Sequence, residues 1–293
     1  IKVFILYPEK EVSPIQKKQL DSIGKNVQAI AVKGKFDDCQ RLVKTAFSDP
    51  ALKSLNLTSA NSINIGRILP QIVYYFYAWA NTVDSEKSVI FAIPSGNFGN
   101  SLGCEIARRM GLPVKRMLIA VNENDEFPRF LESGTYRAVN PARACLSNAM
   151  NVGHPSNLAR YFDLYGGTLD KEGKVHRRPD IKAMRRNLYS VSISDEETLR
   201  TMVRLHCEYN FIVEPHGAVG LAALERYFKS HDRLPALCIE TAHPGKFPEI
   251  VKKALGYLPA APPALRKLEK RKGTADRLKN DYASFKNYLL RSC

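Results

Sequence analysis

The chain has 293 residues, with 44 lysines and arginines against 29 aspartates and glutamates, a formal net charge of +15 at pH 7. With 44% hydrophobic and 25% charged residues it reads as one large or two small globular units, and no apolar run approaches the roughly 20 residues needed to span a bilayer. The six cysteines are scattered without a close pair, which argues against a disulfide framework or a zinc site and suits a reducing, cytoplasmic compartment. The basic residues are spread along the chain apart from a denser cluster in Arg266 to Lys279, so the excess reads as solvated surface, with no nucleic acid and no membrane as partners.

Val3 to Leu6 is the first expected strand, closed by Pro8. Ser13 and Pro14 make a helix start, a capping serine with proline at the first helical position, and the helix runs to a glycine stop at Gly24. A strand over Asn26 to Lys33 follows, then a helix from near Asp37 whose Cys39, Leu42, Val43 and Phe47 form an inward face. Short strands alternating with helices predict an α/β fold, parallel twisted sheets flanked by helices.

The polar run Leu57 to Arg67 leads into an apolar helix expected over Ile68 to Ala80, with Tyr74, Tyr75, Phe76, Tyr77 and Trp79 as packing. Uncharged amides and hydroxyls with one arginine at a helix mouth suit an oxyanion, although a helix cap explains the same residues. Ser88 to Pro94 reads as a buried strand that stops at a glycine-rich turn. Past the turn, Leu102, Ile106 and Met110 mark a helix ended by Gly111 and Pro113, and Val114 to Val121 is the next strand.

A glycine-rich turn between a strand and a helix N-terminus can hold an anion. Gly96 and Gly99 are expected to take positive φ so that successive backbone N–H groups converge, aided by the helix dipole and by Ser95, Asn97, Asn100 and Ser101 as further donors. A phosphate monoester fits such a turn better than a diphosphate, because neither the dinucleotide fingerprint nor the Lys-Ser/Thr ending of a Walker loop is present. A tight turn with an N-cap is the plainer alternative.

Residues 122–186 are less regular, and Tyr165 to Arg178 reads as an exposed loop or insertion. A strand over Leu188 to Ile193 precedes a helix opened by a capping box, Ser194 with Glu197. Glu214 and His216, ahead of a small-residue helix over Ala218 to Tyr227, read either as an acid/base pair or as structural. Leu234 to Ile239 is expected to be the last sheet strand, and it delivers Thr241 to the carboxyl edge where open α/β sheets bind ligands.

Ser95-Gly96-Asn97-Phe98-Gly99-Asn100 closely resembles the phosphate-cradling loop of threonine synthases, pyridoxal-phosphate enzymes of the tryptophan synthase β-subunit-like class. Three other segments resemble the same family in the same order: residues 7–16, from Tyr7-Pro8-Glu9-Lys10; residues 59–67, from Ser59-Ala60-Asn61-Ser62; and Thr241-Ala242-His243-Pro244-Gly245-Lys246-Phe247. The resemblance covers most of residues 1–256. It implies a fold-type II pyridoxal-phosphate enzyme, incomplete at the N-terminus.

The resemblance further implies pyridoxal 5'-phosphate held by Ser95, Gly96, Asn97, Phe98, Gly99 and Asn100, with the Thr241 hydroxyl at the pyridine nitrogen. Asn61, Ser62, Asn64 and Arg67 are implied to meet the phosphate or carboxylate of the substrate, O-phosphohomoserine, which with water yields threonine and phosphate. The Schiff-base lysine of the family lies in a Phe-Lys-Asp-like motif that residues 1–293 lack, so no catalytic residue is assigned here and the chain reads as a fragment or as a derivative without the chemistry. Another pyridoxal-dependent serine/threonine lyase, or a non-catalytic derivative of the fold, are the alternatives. The expected organisation is a cofactor-phosphate region over 1–122, the rest of the cofactor and substrate domain over 123–260 with an irregular insertion near 163–186, and a basic helical tail over 261–293. A monomer or homodimer is expected.

Overall fold

A computed structural model describes residues 1–12, 14–84, 87–269 and 271–292. Ser13, the expected cap, lies outside the described residues, and its helix runs over Pro14–Asp21. Along the chain the strands are β1 (Val3–Pro8), β2 (Val27–Val32), β3 (Val89–Pro94), β4 (Val114–Val121), β5 (Thr168–Leu169), β6 (Val175–Arg177), β7 (Leu188–Ser192), β8 (Ala236–Cys238) and β9 (Ala275–Leu278). Among the described residues no helix is long and apolar enough to cross a membrane.

The chain divides into two compact units, residues 1–58 with 260–293, and residues 59–259. In the first, β1, β2 and β9 form a parallel sheet with β2 in the middle. Ile30 and Val32 of β2 pack with Leu42, Leu52, Phe285 and Leu289. The inward face of the helix Phe36–Ser48 is Cys39, Leu42 and Ala46, whereas Phe47, expected inside, is 40% exposed. The helical repeat of 3.6 places position 46 rather than 47 over 39 and 42. β8 is therefore not the last strand, since the tail contributes β9 between the helices Pro263–Glu269 and Tyr282–Ser292. β9 is four residues long, carries Asp276 and Arg277, and is half exposed, so it lacks the apolar signal of a strand.

The second unit is built on a four-stranded parallel sheet in the order β7-β4-β3-β8. Every residue of β3 is buried, as a run of six apolar or proline residues covered on both faces requires. Val89, Phe91 and Ile93 face one core with Tyr75, Leu102 and Phe127, while Ile90 and Ala92 face another with Leu118 and Tyr227. The helix Gly99–Arg109 makes the crossover from β3 to β4, and the helix Pro215–Phe228 precedes β8. Because β4 and β7 lie on one side of β3 and β8 on the other, the strand order reverses between β3 and β8. The carboxyl ends of that pair form the crevice where open α/β sheets take ligands.

The expected helix over Ile68 to Ala80 is shorter. Pro70 breaks its start into two 3₁₀ turns, Ile65–Arg67 and Leu69–Gln71, and the α-helix spans Ile72–Thr82. Of its aromatic run Tyr75 is fully buried, but Tyr74 and Tyr77 are 57% and 69% exposed, so only part of the run is packing. Residues 165–178 are also more structured than a loop, because β5 and β6 pair antiparallel and Tyr165 and Leu169 are buried.

Candidate functional site

Ser95 continues the sheet past β3, its N–H donating to the Ala120 carbonyl at 2.8 Å, and its hydroxyl donates to the Ile93 carbonyl at 3.0 Å. The chain then turns sharply. The one left-handed residue of the turn is Phe98, at φ 61°, not Gly96 or Gly99 as expected. A bulky side chain in that conformation is uncommon, and the packing around it explains why it is held there. The Phe98 ring is 1% exposed and meets Phe127 and Tyr161 edge-on at centroid distances of 4.8 and 6.0 Å.

Gly96 is required for a different reason. A Cβ at this position would stand 2.6 Å from the Ala149 carbonyl oxygen and 2.8 Å from Met150 Cα, both backbone atoms. Only a glycine permits that approach. At Gly99 the nearest atom to such a Cβ is the Ser62 Cβ at 3.3 Å, a tight but lesser contact.

The helix Gly99–Arg109 closes its first turn with Leu102 N–H donating to the Phe98 carbonyl at 3.0 Å. The N–H groups of Gly99, Asn100 and Ser101 therefore precede the first intrahelical bond and point off the positive end of the helix. The loop's side chains, in contrast, are engaged within the protein. Asn97 Nδ2 donates to Ser62 Oγ at 2.8 Å, and its Oδ1 accepts from the N–H and hydroxyl of Ser156 at 2.6 and 3.0 Å. Asn100 Oδ1 accepts from the Tyr75 hydroxyl at 2.6 Å, and Ser101 Oγ donates to the Phe98 carbonyl at 3.3 Å. What the loop offers an anion is main-chain N–H, the donor set of a phosphate cradle.

The Asn97–Ser62 bond brings the segment 59–67 to this loop. Within it Ser62 Oγ donates to Asn61 Oδ1 at 3.2 Å, while Asn64 caps its own turn, Oδ1 accepting from Gly66 N–H and Nδ2 donating to the Ser59 carbonyl, each at 2.9 Å. Arg67 and Asn61 are exposed, and the Arg67 carbonyl accepts from Gln71. Three residues that sequence reasoning missed complete the junction. Ser156 and Asn157 clasp Asn97, the latter through Nδ2 to the Asn97 carbonyl at 2.8 Å. Arg160 donates to the carbonyls of Ser62 and Ile63, each at 2.8 Å, and also to Asn157 Oδ1. Burial holds the Arg160 guanidinium below the usual arginine range.

β8 runs parallel to β3, with Cys238 opposite Ala92 and Ile239 N–H donating to the Ala92 carbonyl at 2.9 Å. Ser95 and Thr241, each three residues past that pair, leave adjacent strands at the same sheet edge, and Thr241 is exposed there. His243 caps the 3₁₀ turn Pro244–Lys246, Nδ1 accepting from Gly245 N–H at 3.0 Å. Glu197 does not complete the expected capping box. Ser194 Oγ accepts from Glu197 N–H at 3.2 Å, but the Glu197 carboxylate is taken by Arg226. No cluster of three or more His, Cys, Asp or Glu positioned for a metal occurs among the described residues.

The family model described as "Pyridoxal-phosphate dependent enzyme" matches residues 1–236. The chain belongs to this family. A second model, "Threonine synthase, C-terminal", matches residues 217–289. Threonine synthase of Haemophilus influenzae is 38% identical over 297 residues, covering 100% of this chain and 65% of that protein. Two solved structures are similar to this chain. The pyridoxal-phosphate-bound threonine synthase of Brucella melitensis has a TM-score of 0.88 at 34% identity, over 99% of this chain and 65% of that one. The threonine synthase of Escherichia coli has a TM-score of 0.84 at 37% identity, over 100% of this chain and 65% of that one. The chain thus spans just under two thirds of the length of these relatives. The likeness to threonine synthases read from the four motifs is borne out, as is the fold class, and pyridoxal phosphate is the cofactor of the family. The donor set of the turn suits a phosphate, since the main-chain N–H groups at the start of the helix Gly99–Arg109 precede its first intrahelical bond.

Proposed function

We propose that the protein to which this chain belongs is a pyridoxal-phosphate-dependent carbon-oxygen lyase, a threonine synthase that converts O-phosphohomoserine and water to threonine and phosphate. The observation that carries the reading is the Asn97–Ser62 bond, which holds the expected substrate-anion segment against the expected cofactor cradle. Bound pyridoxal phosphate supplies an electron sink for carbanion chemistry next to the substrate's amino group. The residues of this chain bind and orient. The N–H groups of the 96–101 turn hold the cofactor phosphate, with Ser95, Asn97, Phe98 and Asn100 fixing the shape of the turn. The Thr241 hydroxyl, exposed at the same sheet edge, would serve the pyridine nitrogen, and a neutral partner there would leave that nitrogen largely unprotonated. Asn61, Ser62, Asn64 and Arg67 form the segment that would meet the substrate's phosphate or carboxylate, Asn61 and Arg67 by their exposed side chains and Ser62 and Asn64 by shaping it through bonds within the protein, with Arg160 holding the carbonyls of Ser62 and Ile63 so that the segment keeps its place.

The same reading takes the protein as cytoplasmic, a monomer or homodimer, acting on a small molecule without nucleic acid or membrane partners. The test is incubation of the intact protein with pyridoxal phosphate and, separately, O-phosphohomoserine, serine and threonine, following phosphate, threonine, ammonia and keto acid. Equal release of phosphate and threonine from O-phosphohomoserine supports the proposal. Ammonia and a keto acid from serine or threonine, without threonine formation, support the related lyase instead, and no turnover of either kind supports a non-catalytic derivative.

A further inference from the structure

Glu214 and His216 are among the most buried polar side chains of the chain, at 0% and 3% exposure, and the chemistry proposed above uses neither. Glu214 caps the helix Pro215–Phe228, Oε1 accepting from Gly217 N–H at 2.8 Å and Oε2 from His216 N–H at 2.9 Å. The same Oε2 is hydrogen-bonded to His216 Nδ1. On the other side of the ring, Ala149 N–H donates to His216 Nε2 at 3.2 Å. An Nε2 that accepts carries no proton, so the ring's proton sits on Nδ1 and is donated to Glu214. The Phe247 ring packs on the imidazole at a centroid distance of 5.0 Å, which fixes its plane.

Ala149 is the residue whose carbonyl oxygen lies against Gly96, so close that no Cβ fits between them. It sits in the short 3₁₀ turn Asn148–Met150, anchored at its ends by Asn122, whose Nδ2 donates to Ser147 Oγ at 3.2 Å and to Asn151 Oδ1 at 2.9 Å. Between those anchors the turn's own N–H at Ala149 is held by His216. We propose that His216, oriented by Glu214, is a positioning residue for the anion cradle: it fixes the 148–150 turn against Gly96 and so sets the shape of the loop that receives the phosphate. This rests on the reading of residues 95–101 as the pyridoxal-phosphate cradle. It assigns His216 no proton transfer, because both ring nitrogens are engaged within the protein.

The experiment is equilibrium dialysis of the intact protein against pyridoxal phosphate and, separately, against pyridoxal, which lacks the phosphate. His216→Asn reaches Glu214 from the Nδ1 position but leaves Ala149 without its acceptor, whereas His216→Gln extends an acceptor to the Nε2 position. The expected result is a loss of about tenfold in the preference for pyridoxal phosphate over pyridoxal in His216→Asn, the scale of one hydrogen bond, with His216→Gln within about twofold of wild type. Melting temperatures are measured alongside, and should His216→Asn not fold, His216→Leu against His216→Gln gives the same contrast. A wild-type preference kept in His216→Asn, or lost equally in His216→Gln, overturns the positioning role while the cradle stands. No preference in wild type overturns the cradle itself, and this inference with it.

Discussion

The amide of Asn97 donates to the hydroxyl of Ser62 at 2.8 Å, tying the turn after β3 to a segment 35 positions earlier. The other end of the same amide accepts twice from Ser156. Replacing Asn97 by alanine removes three hydrogen bonds and leaves the Ser156 N–H without its acceptor. The expected cost is about 1–3 kcal/mol of stability, read by chemical denaturation. Hydrogen exchange should quicken at Asn61 to Asn64 more than in β3. A variant as stable as wild type, with unchanged exchange in that segment, would show that the link does not hold it.

Gly96→Ala and Gly99→Ala separate close approach from conformational freedom. Neither glycine has positive φ, so the difference comes from what the added methyl meets and, at position 99, from the better helix propensity of alanine, which acts in the same direction. At position 96 it meets backbone of residues 149 and 150 at 2.6 and 2.8 Å, which forces the turn Asn148–Met150 away; at position 99 it meets the Ser62 side chain at 3.3 Å. Overpacking of the first kind costs about 1–3 kcal/mol. Gly96→Ala should therefore lower the melting temperature and weaken pyridoxal phosphate binding, while Gly99→Ala should do so by a smaller amount. The reverse order would place the tight approach elsewhere.

The parts of this fold legible in the sequence are those specified by neighbouring residues. β3 and β4 are uninterrupted apolar runs, and the helix between them shows its period and its glycine stop within a dozen residues. The parts that were not legible depend on distant partners. Phe98 takes the left-handed position because Phe127 and Tyr161 enclose its ring, and no local pattern announces that. Ser156, Asn157 and Arg160 reach back 59, 60 and 98 positions to Asn97 and Ser62, across a stretch with no recognisable motif. β9 is charged and short, and only its pairing with β2 makes it a strand.

Glu105 is fully buried in the helix Gly99–Arg109 and is satisfied from one turn onward. Arg108 donates to both of its oxygens at 2.9 and 2.8 Å, and Arg109 donates to Oε1 at 2.8 Å. The pairing holds the Arg108 guanidinium above the usual arginine range. Arg109 is fixed further by the Leu164 carbonyl at 2.7 Å. Glu105→Ala leaves two partly exposed guanidinium groups without their counter-ion beside the core, and losing three charge-assisted hydrogen bonds there costs about 1–3 kcal/mol. Thermal unfolding should show that loss, with Glu105→Gln in between because it keeps one acceptor. A Glu105→Ala variant as stable as wild type would mean that water replaces the pair without cost.

Glu126 poses the opposite case, a buried carboxyl that forms no ion pair among the described residues, the nearby Arg129 being paired with Asp125. It is 1% exposed at the start of the helix Glu126–Ser133, and among the described residues its Oε2 has no hydrogen-bond partner. Burial pushes its pKa from an ordinary 4.5 up to about 8, with the neighbouring Asp125 charge adding to the rise and Arg129 opposing it. Below pH about 4.5 the folded and unfolded chains both hold the proton, and the group costs the fold nothing. Between about 4.5 and about 8 the unfolded chain releases that proton and the folded chain keeps it, so stability falls as pH rises; above about 8 the loss is complete. The total is on the order of a few kcal/mol. Glu126→Gln has nearly the same shape and no titration, so it should match wild type near pH 4 and become increasingly more stable than it up to pH 8. Melting curves of the two proteins across that range decide the matter, and a constant difference from pH 4 to pH 8 would mean that Glu126 titrates as an exposed carboxyl does.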